Sequence, residues 1–197
     1  MRVFVMARHG ESVLNLERRI NGDPTQTVDL TERGRLEAAQ LGQQVQEWHV
    51  DVCLHSRFPR TEQTARIALE GRDVRFEVEP LFDDIDVGDL EGSRIEDYRE
   101  WKHGHPRSEA FPGGESLNDA AARYAQGFRR LLESPHESVL LVTHEIPIRY
   151  ALNGAAGSSS LDGPAHEIAN AAPYLFDEDG LSRAAAGIEA VLATVPA

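Results

Sequence analysis

Two histidines stand just beyond apolar runs: His9 follows Val3 to Ala7 with Arg8 between, and His144 follows Val139 to Val142 with Thr143 between. A neutral imidazole can attack phosphorus, and neighbouring cations keep it neutral because like charge disfavours the protonated form. Moving a phosphoryl group also requires positive charge around its equatorial oxygens and an acid for the leaving oxygen. Arg8 offers a planar, permanently charged fork beside His9, and Arg60 offers a second within Ser56 to Ala65. His144 adds a donor if it is protonated or suitably oriented. Taken by residue type alone, a histidine at a strand end is as readily structural, and Arg57 and Arg60 fit equally as surface charges at a helix start.

The elements that would position these groups follow from apolar spacing. Val3 to Ala7 and Val139 to Val142 read as buried strands, with shorter candidates at Val50 to Leu54, Val74 to Val78 and Tyr174 to Phe176. Thr31 to Trp48 reads as a helix, with Ala38, Leu41, Val45 and Trp48 at three-and-four spacing and Thr31 as N-cap. Ser116 to Leu132 reads as another, in which Ser116 and Asp119 have the spacing of a capping box. Strands alternating with such helices predict an α/β fold, a three-layer sandwich with a mostly parallel central sheet flanked by helices. Open sheets of this kind bind ligands beyond the carboxyl ends of their strands, so both histidines are expected at one crevice. The polar, turn-rich stretch 83–112, with a short helix around Ile95 to Trp101, is expected to cover it. Gly154 to Gly163 is expected to be a loop.

Arg8-His9-Gly10-Glu11 and Ser56-Arg57-Phe58-Pro59-Arg60-Thr61-Glu62-Gln63-Thr64-Ala65 are accompanied by Leu30-Thr31-Glu32-Arg33-Gly34, Gly88-Asp89-Leu90-Glu91-Gly92, Gly113-Gly114-Glu115-Ser116 and Val142-Thr143-His144. In this order they resemble the histidine phosphatase superfamily, also called phosphoglycerate mutase-like, in its phosphatase-type branch, along most of the chain. The resemblance implies a phosphohistidine intermediate on His9, with Arg8, Arg60 and His144 binding phosphate, and no cofactor or metal. Asn15 sits where family members often touch phosphate, Asn170 resembles a late family asparagine near the substrate, and Glu11 is a candidate to orient the site. The family's proton donor is commonly a glutamate four residues before the glycine matched by Gly88, a register that lands on Asp84. Asp83 is its neighbour and rival, with Asp86 and Glu91 further off. An aspartate there places its carboxyl about one bond shorter and starts from a lower pKa, near 3.9, which burial is expected to raise. A second departure is Glu145, where the family usually has glycine. It would hold His144 and raise its pKa, or simply begin the next helix near its positive end.

Composition limits the remaining choices. With 197 residues and 41% hydrophobic residues the chain reads as one domain over 1–197. Asp plus Glu (33) outnumber Lys plus Arg (20), a net charge of −13 that argues against nucleic acid or an anionic membrane as partner. The single cysteine, Cys53, permits no intrachain disulfide and reads as a buried structural thiol. A reducing cytoplasm fits that usage, and neither a signal peptide nor a membrane span is evident. His103 and His105 resemble a two-ligand metal fragment that no further side chain completes. The expected activity is a phosphomonoester phosphatase acting on a small phosphorylated metabolite, with a mutase as the alternative. A noncatalytic phosphate-binding module and a metal-dependent hydrolase using His9, Glu11 and His144 are the readings from other classes. A homodimer is left open.

Overall fold

The computed structural model describes residues 2–194. In chain order the elements are β1 (Val3–Arg8), α1 (Val13–Leu16), α2 (Glu32–Gln44), β2 (Val52–His55), α3 (Pro59–Ala68), β3 (Arg75–Val78), α4 (Ile95–Gly104), α5 (Leu117–Glu133), β4 (Ser138–Thr143), α6 (Glu145–Ala155), β5 (Pro173–Asp177) and α7 (Glu178–Thr194). Two single 3₁₀ turns, Pro80–Phe82 and Gly88–Leu90, lie between β3 and α4.

The sheet runs in the order β3-β2-β4-β1-β5, with β5 antiparallel to β1 and every other pair parallel. The two apolar runs that precede the histidines are thus the adjacent central strands β1 and β4. Both lie between helical layers, which is why they read as continuous rather than alternating apolar sequence. Phe4 and Met6 enter the core with α5, α6 and α7, whereas Val5 and Ala7 enter the core with α2 and α3. The register pairs Arg8 with Thr143, so the chain leaves both strands at the same level and His9 emerges beside His144.

The caps behave as their sequences dictate. Thr31 Oγ1 accepts the Gly34 N–H at 3.0 Å to open α2, and Ser116 with Asp119 forms the reciprocal capping box of α5. Helix α2 ends at Gln44, short of Trp48, and Arg72 donates to the freed carbonyl of Val45 at 3.0 Å and to that of Trp48. Helix α7 lacks a comparable signal in sequence because its contact residues are small. A Cβ on Gly187 would fall 2.2 Å from the Gly154 carbonyl oxygen, so α6 and α7 approach at backbone distance. In 83–112, α4 extends the short helix expected there, and Trp101 packs on His105 and Phe111 at ring-centroid distances of 4.3 and 4.1 Å. Among the described residues, no helix is long and apolar enough to cross a membrane.

Candidate active site

A cavity of about 550 Å³ opens at the carboxyl ends of β1 and β4, with Arg8, His9, Asn15, Arg60, Asp84 and Glu145 in its wall. His9 is only 2% exposed. Its main-chain N–H donates to Thr143 O at 2.9 Å, and its own carbonyl accepts from Asn170 Nδ2 at 2.7 Å. The next turn is fixed by close approach: a Cβ on Gly34 would meet Glu11 O at 2.0 Å, so only glycine lets α2 lie against the loop leaving β1. Thr64 Oγ1 accepts the Gly10 N–H at 3.0 Å and ties that loop to α3.

The protonation pattern of His9 follows from its partners. Its Nδ1 lies 2.7 Å from Gly10 O, a carbonyl that can only accept, so Nδ1 carries the proton and Nε2 carries the lone pair. Burial, followed by the charges of Arg60 and Arg8, holds its pKa well below the ordinary value of 6.5. The result is a neutral imidazole with its free electron pair toward Arg60, whose Nε donates to Nε2 at 3.0 Å.

Arg60 is the centre of the arrangement. Pro59 opens α3 and places Arg60 in its first turn, where the side chain is 3% exposed and lies over the Phe58 ring at 4.3 Å. Its Nη1 donates to Asn21 Oδ1, and its Nη2 faces Asn21 O at 3.1 Å, Asp84 Oδ2 at 3.2 Å and His144 Nδ1 at 3.1 Å. Burial lowers its pKa to about 10, so it stays charged near neutrality. His144 Nδ1 accepts from that guanidinium, so its Nε2 carries the proton and donates to Ser56 Oγ at 2.9 Å. Burial first, then Arg60, keeps His144 neutral as well. Of the alternatives for Glu145, the start of the next helix is the one the structure meets, and a raised pKa of His144 is not. Glu145 begins α6 and turns its carboxylate to Arg8 Nη1, at 3.1 Å, and to Arg149.

The two aspartates separate by partner. Asp83 accepts the Arg57 N–H at 2.8 Å and its Nε at 2.5 Å, and it lies outside the cavity wall. Asp84 is in the wall, 3.4 Å from His144 Nδ1, and burial raises its pKa against the opposing pull of Arg60. The segment is pinned by Thr143 Oγ1, which donates to Phe82 O at 2.7 Å, and by Tyr124 Oη, which donates to Asp83 O at 3.0 Å.

Three further expectations resolve by position. Asn15 is in the wall, its Oδ1 accepting from Ser12 N at 3.1 Å. Glu11 is not in the wall: its carboxylate accepts from Thr31 Oγ1 at 2.8 Å, so it braces α2 instead of meeting a ligand. Asn170 also stands behind the wall and acts through the His9 main chain. Asn21 escaped sequence reasoning, as did the part played by Glu91, which holds the Asn21 amide at 2.8 Å and the Gly22 N–H at 2.6 Å. A glycine after the asparagine was the only local hint. Cys53 is buried in the sheet, where its thiol pKa is pushed up to about 12. His103 is in the cavity wall while His105 donates from Nδ1 to Trp101 O at 2.7 Å, so the two do not converge.

Two neutral histidines face two fixed guanidiniums and one carboxyl group that burial biases toward its acid form, an arrangement that offers a nucleophile, an anion cradle and a proton source. The signature of the histidine phosphatase superfamily, branch 1, matches residues 4–186. The chain belongs to that superfamily. It is 32% identical over 158 residues to phosphoserine phosphatase 1 of Hydrogenobacter thermophilus, covering 74% of this chain and 72% of that protein. It is 29% identical over 196 residues to a 2,3-bisphosphoglycerate-dependent phosphoglycerate mutase of Bartonella bacilliformis, covering 89% and 92%. Among solved structures, the alpha-ribazole phosphatase from Shigella flexneri shares the superfamily fold with a TM-score of 0.78 at 22% identity, over 89% of this chain and 90% of that one. Superfamily relatives thus include proteins named as phosphatases and as mutases.

Proposed function

We propose that the chain is a phosphomonoester phosphatase that works without a metal through a phosphohistidine on His9, acting on a small phosphorylated metabolite in the cytoplasm. The observation that carries this reading is the tautomer of His9, whose proton is tied to Gly10 O and whose Nε2 lone pair points into the anion cradle. In the first step the Nε2–P bond forms as the ester P–O bond breaks, and the proton of Asp84 passes to the leaving oxygen. Arg8 and Arg60 take the equatorial oxygens, the incoming phosphoryl group replacing Nε2 as the acceptor of the Arg60 Nε–H. In the second step water attacks phosphorus, its proton goes to the Asp84 carboxylate, and the P–N bond breaks to return His9.

A mutase would use the same groups but keep water out until a second hydroxyl accepted the phosphoryl group. Solvent access favours hydrolysis: the Asp84 side chain is 27% exposed and that of Arg8 is 18% exposed. The test is release of inorganic phosphate from a panel of phosphomonoesters by the wild type and His9→Ala, with chelator present throughout. Release by the wild type alone supports the reading. Migration of phosphate between hydroxyls without release makes the protein a mutase, and loss of wild-type activity on chelation refutes the metal-free route.

A further inference from the structure

The carboxylate of Glu145 is a strange neighbour for a phosphate. It projects from the first residue of α6 into the same cavity as Arg8 and Arg60, and its side chain is 30% exposed. One oxygen lies 3.1 Å from Arg8 Nη1 and the other is held by Arg149 one helical turn on. Arg149 in turn faces Asp162 Oδ1 at 3.5 Å, and Asp162 is bound by Lys102 Nζ of the covering helix α4 at 2.7 Å and by Arg107. Charges therefore alternate along the wall: Arg8, Glu145, Arg149, Asp162, Lys102. Once a phosphoryl group engages Arg8, Glu145 is left to neutralise Arg149, while Asp162 is shared by Lys102 and Arg107. Beside Glu145 the nearest cation, Arg149, is then already paired, although Arg19 and Arg99 also line the cavity. An ionised carboxylate has about four acceptor positions, so two bonds to arginine leave Glu145 able to accept from a ligand.

Resting on the phosphatase reading above, we propose that Glu145 is a specificity-determining residue: it selects phosphomonoesters with a hydrogen-bond donor, a hydroxyl or an ammonium, on the carbon next to the ester carbon, and discriminates against those with a carboxylate there. A carboxylate in that place meets Glu145 as a like charge and finds Arg149 already taken, whereas a donor group finds a charged acceptor. Removing the negative charge of Glu145 frees Arg149 to receive a second substrate anion.

Three esters of similar size isolate this group: 2-hydroxyethyl phosphate, 2-aminoethyl phosphate and carboxymethyl phosphate. Their kcat/KM values are measured with the wild type, Glu145→Gln and Arg149→Gln. The readout is the ratio of the carboxymethyl ester to the hydroxyethyl ester, which cancels any common effect on folding or on Arg8. The wild type is expected to favour the two donor-bearing esters, and Glu145→Gln to raise the ratio by about tenfold or more, the scale on which like-charge juxtaposition discriminates. Arg149→Gln should lower it. If the wild type favours the carboxymethyl ester, or if Glu145→Gln changes the ratio by less than about twofold while phosphate is still released, the proposal is wrong and the phosphatase reading stands. If the wild type releases phosphate from no ester, both fall together.

Discussion

Substituting Arg60 by lysine separates the charge of that residue from its geometry. The guanidinium reaches His9 through Nε, Asn21 through Nη1 and Nη2, and Asp84 and His144 through Nη2, so three donor nitrogens serve four residues around a plane. A lysine ammonium is a single point with three donors and cannot span His9 and Asn21 at once. The positive charge near His9 persists, as does the burial that contributes most, so the imidazole stays neutral. What is lost is at least one preorganised donor to the transferring phosphoryl group, a deletion that costs about 2.7 to 4 kcal/mol, or roughly 10²- to 10³-fold in kcat. Arg60→Ala removes charge and geometry together, and the pKa of His9, freed of a neighbouring cation, rises toward 6.5. The assay is phosphate release against pH. Arg60→Lys should lower kcat by the stated factor with the acidic limb of kcat/KM nearly in place, whereas Arg60→Ala should move that limb to higher pH. A lysine variant within about tenfold of wild type would refute the claim that the fork, rather than the charge, holds the transition state.

The remaining predictions concern the other titrating groups. Asp84 must be protonated to donate, so activity falls as pH rises through its raised pKa; Asp84→Asn should remove that basic limb and cost about 10²- to 10⁴-fold in kcat for esters with poor leaving groups, read from a pH–rate profile. His9 and His144 are buried neutral, so the unfolded chain binds protons that the native chain does not, and stability drops as pH falls below 6.5 toward their lowered native pKa values. Each contributes a slope of about 1.4 kcal/mol per pH unit in that window, and urea melts of His9→Ala should show the slope reduced by about that amount.

The sequence made the frame legible wherever one residue type has one physical solution. Two continuous apolar runs bounded by polar turns read as buried strands, and each predicted the place of its histidine. Thr31 and the Ser116–Asp119 pair fixed two helix starts because their side chains answer specific orphan N–H groups. Helix α7 was not legible, since alanine and glycine carry a weak periodic signal even when they pack most closely. Within the site, the register that chose Asp84 over Asp83 came from family resemblance, and the structure adds a reason in position: Asp83 turns both oxygens to Arg57 and lies outside the cavity wall that holds Asp84. Asn21 and Glu91 could not be read because their effect runs through a contact 39 residues away along the chain, between Asn21 and Arg60. Glu11 misled for the opposite cause: its nearness to His9 in sequence says nothing about the turn at Gly10, which points it at Thr31.

The charge of the whole chain and the charge of the cavity have opposite signs, and that contrast bears on how the site works. A net charge of −13 repels a phosphate dianion at long range, so capture relies on a few cations at short range. Those cations would protect a histidine from protonation whether or not a substrate were present, yet left unpaired they would also bind product phosphate tightly and slow turnover. Asp84 and Glu145 address this from two sides: Asp84 faces Arg60 at 3.2 Å and Glu145 faces Arg8 at 3.1 Å, so each arginine proposed to bind phosphate has its own carboxyl group to return to. In the proposed mechanism, release of phosphate then restores the Glu145–Arg8 ion pair and returns Arg60 to a hydrogen bond with the Asp84 carboxyl. In the proposed mechanism the same pairing positions the aspartate that serves as proton donor. The Arg60 fork, held by Asn21, places the Asp84 carboxyl 3.2 Å from its own Nη2 and 3.4 Å from His144 Nδ1, at the edge of the cation cluster.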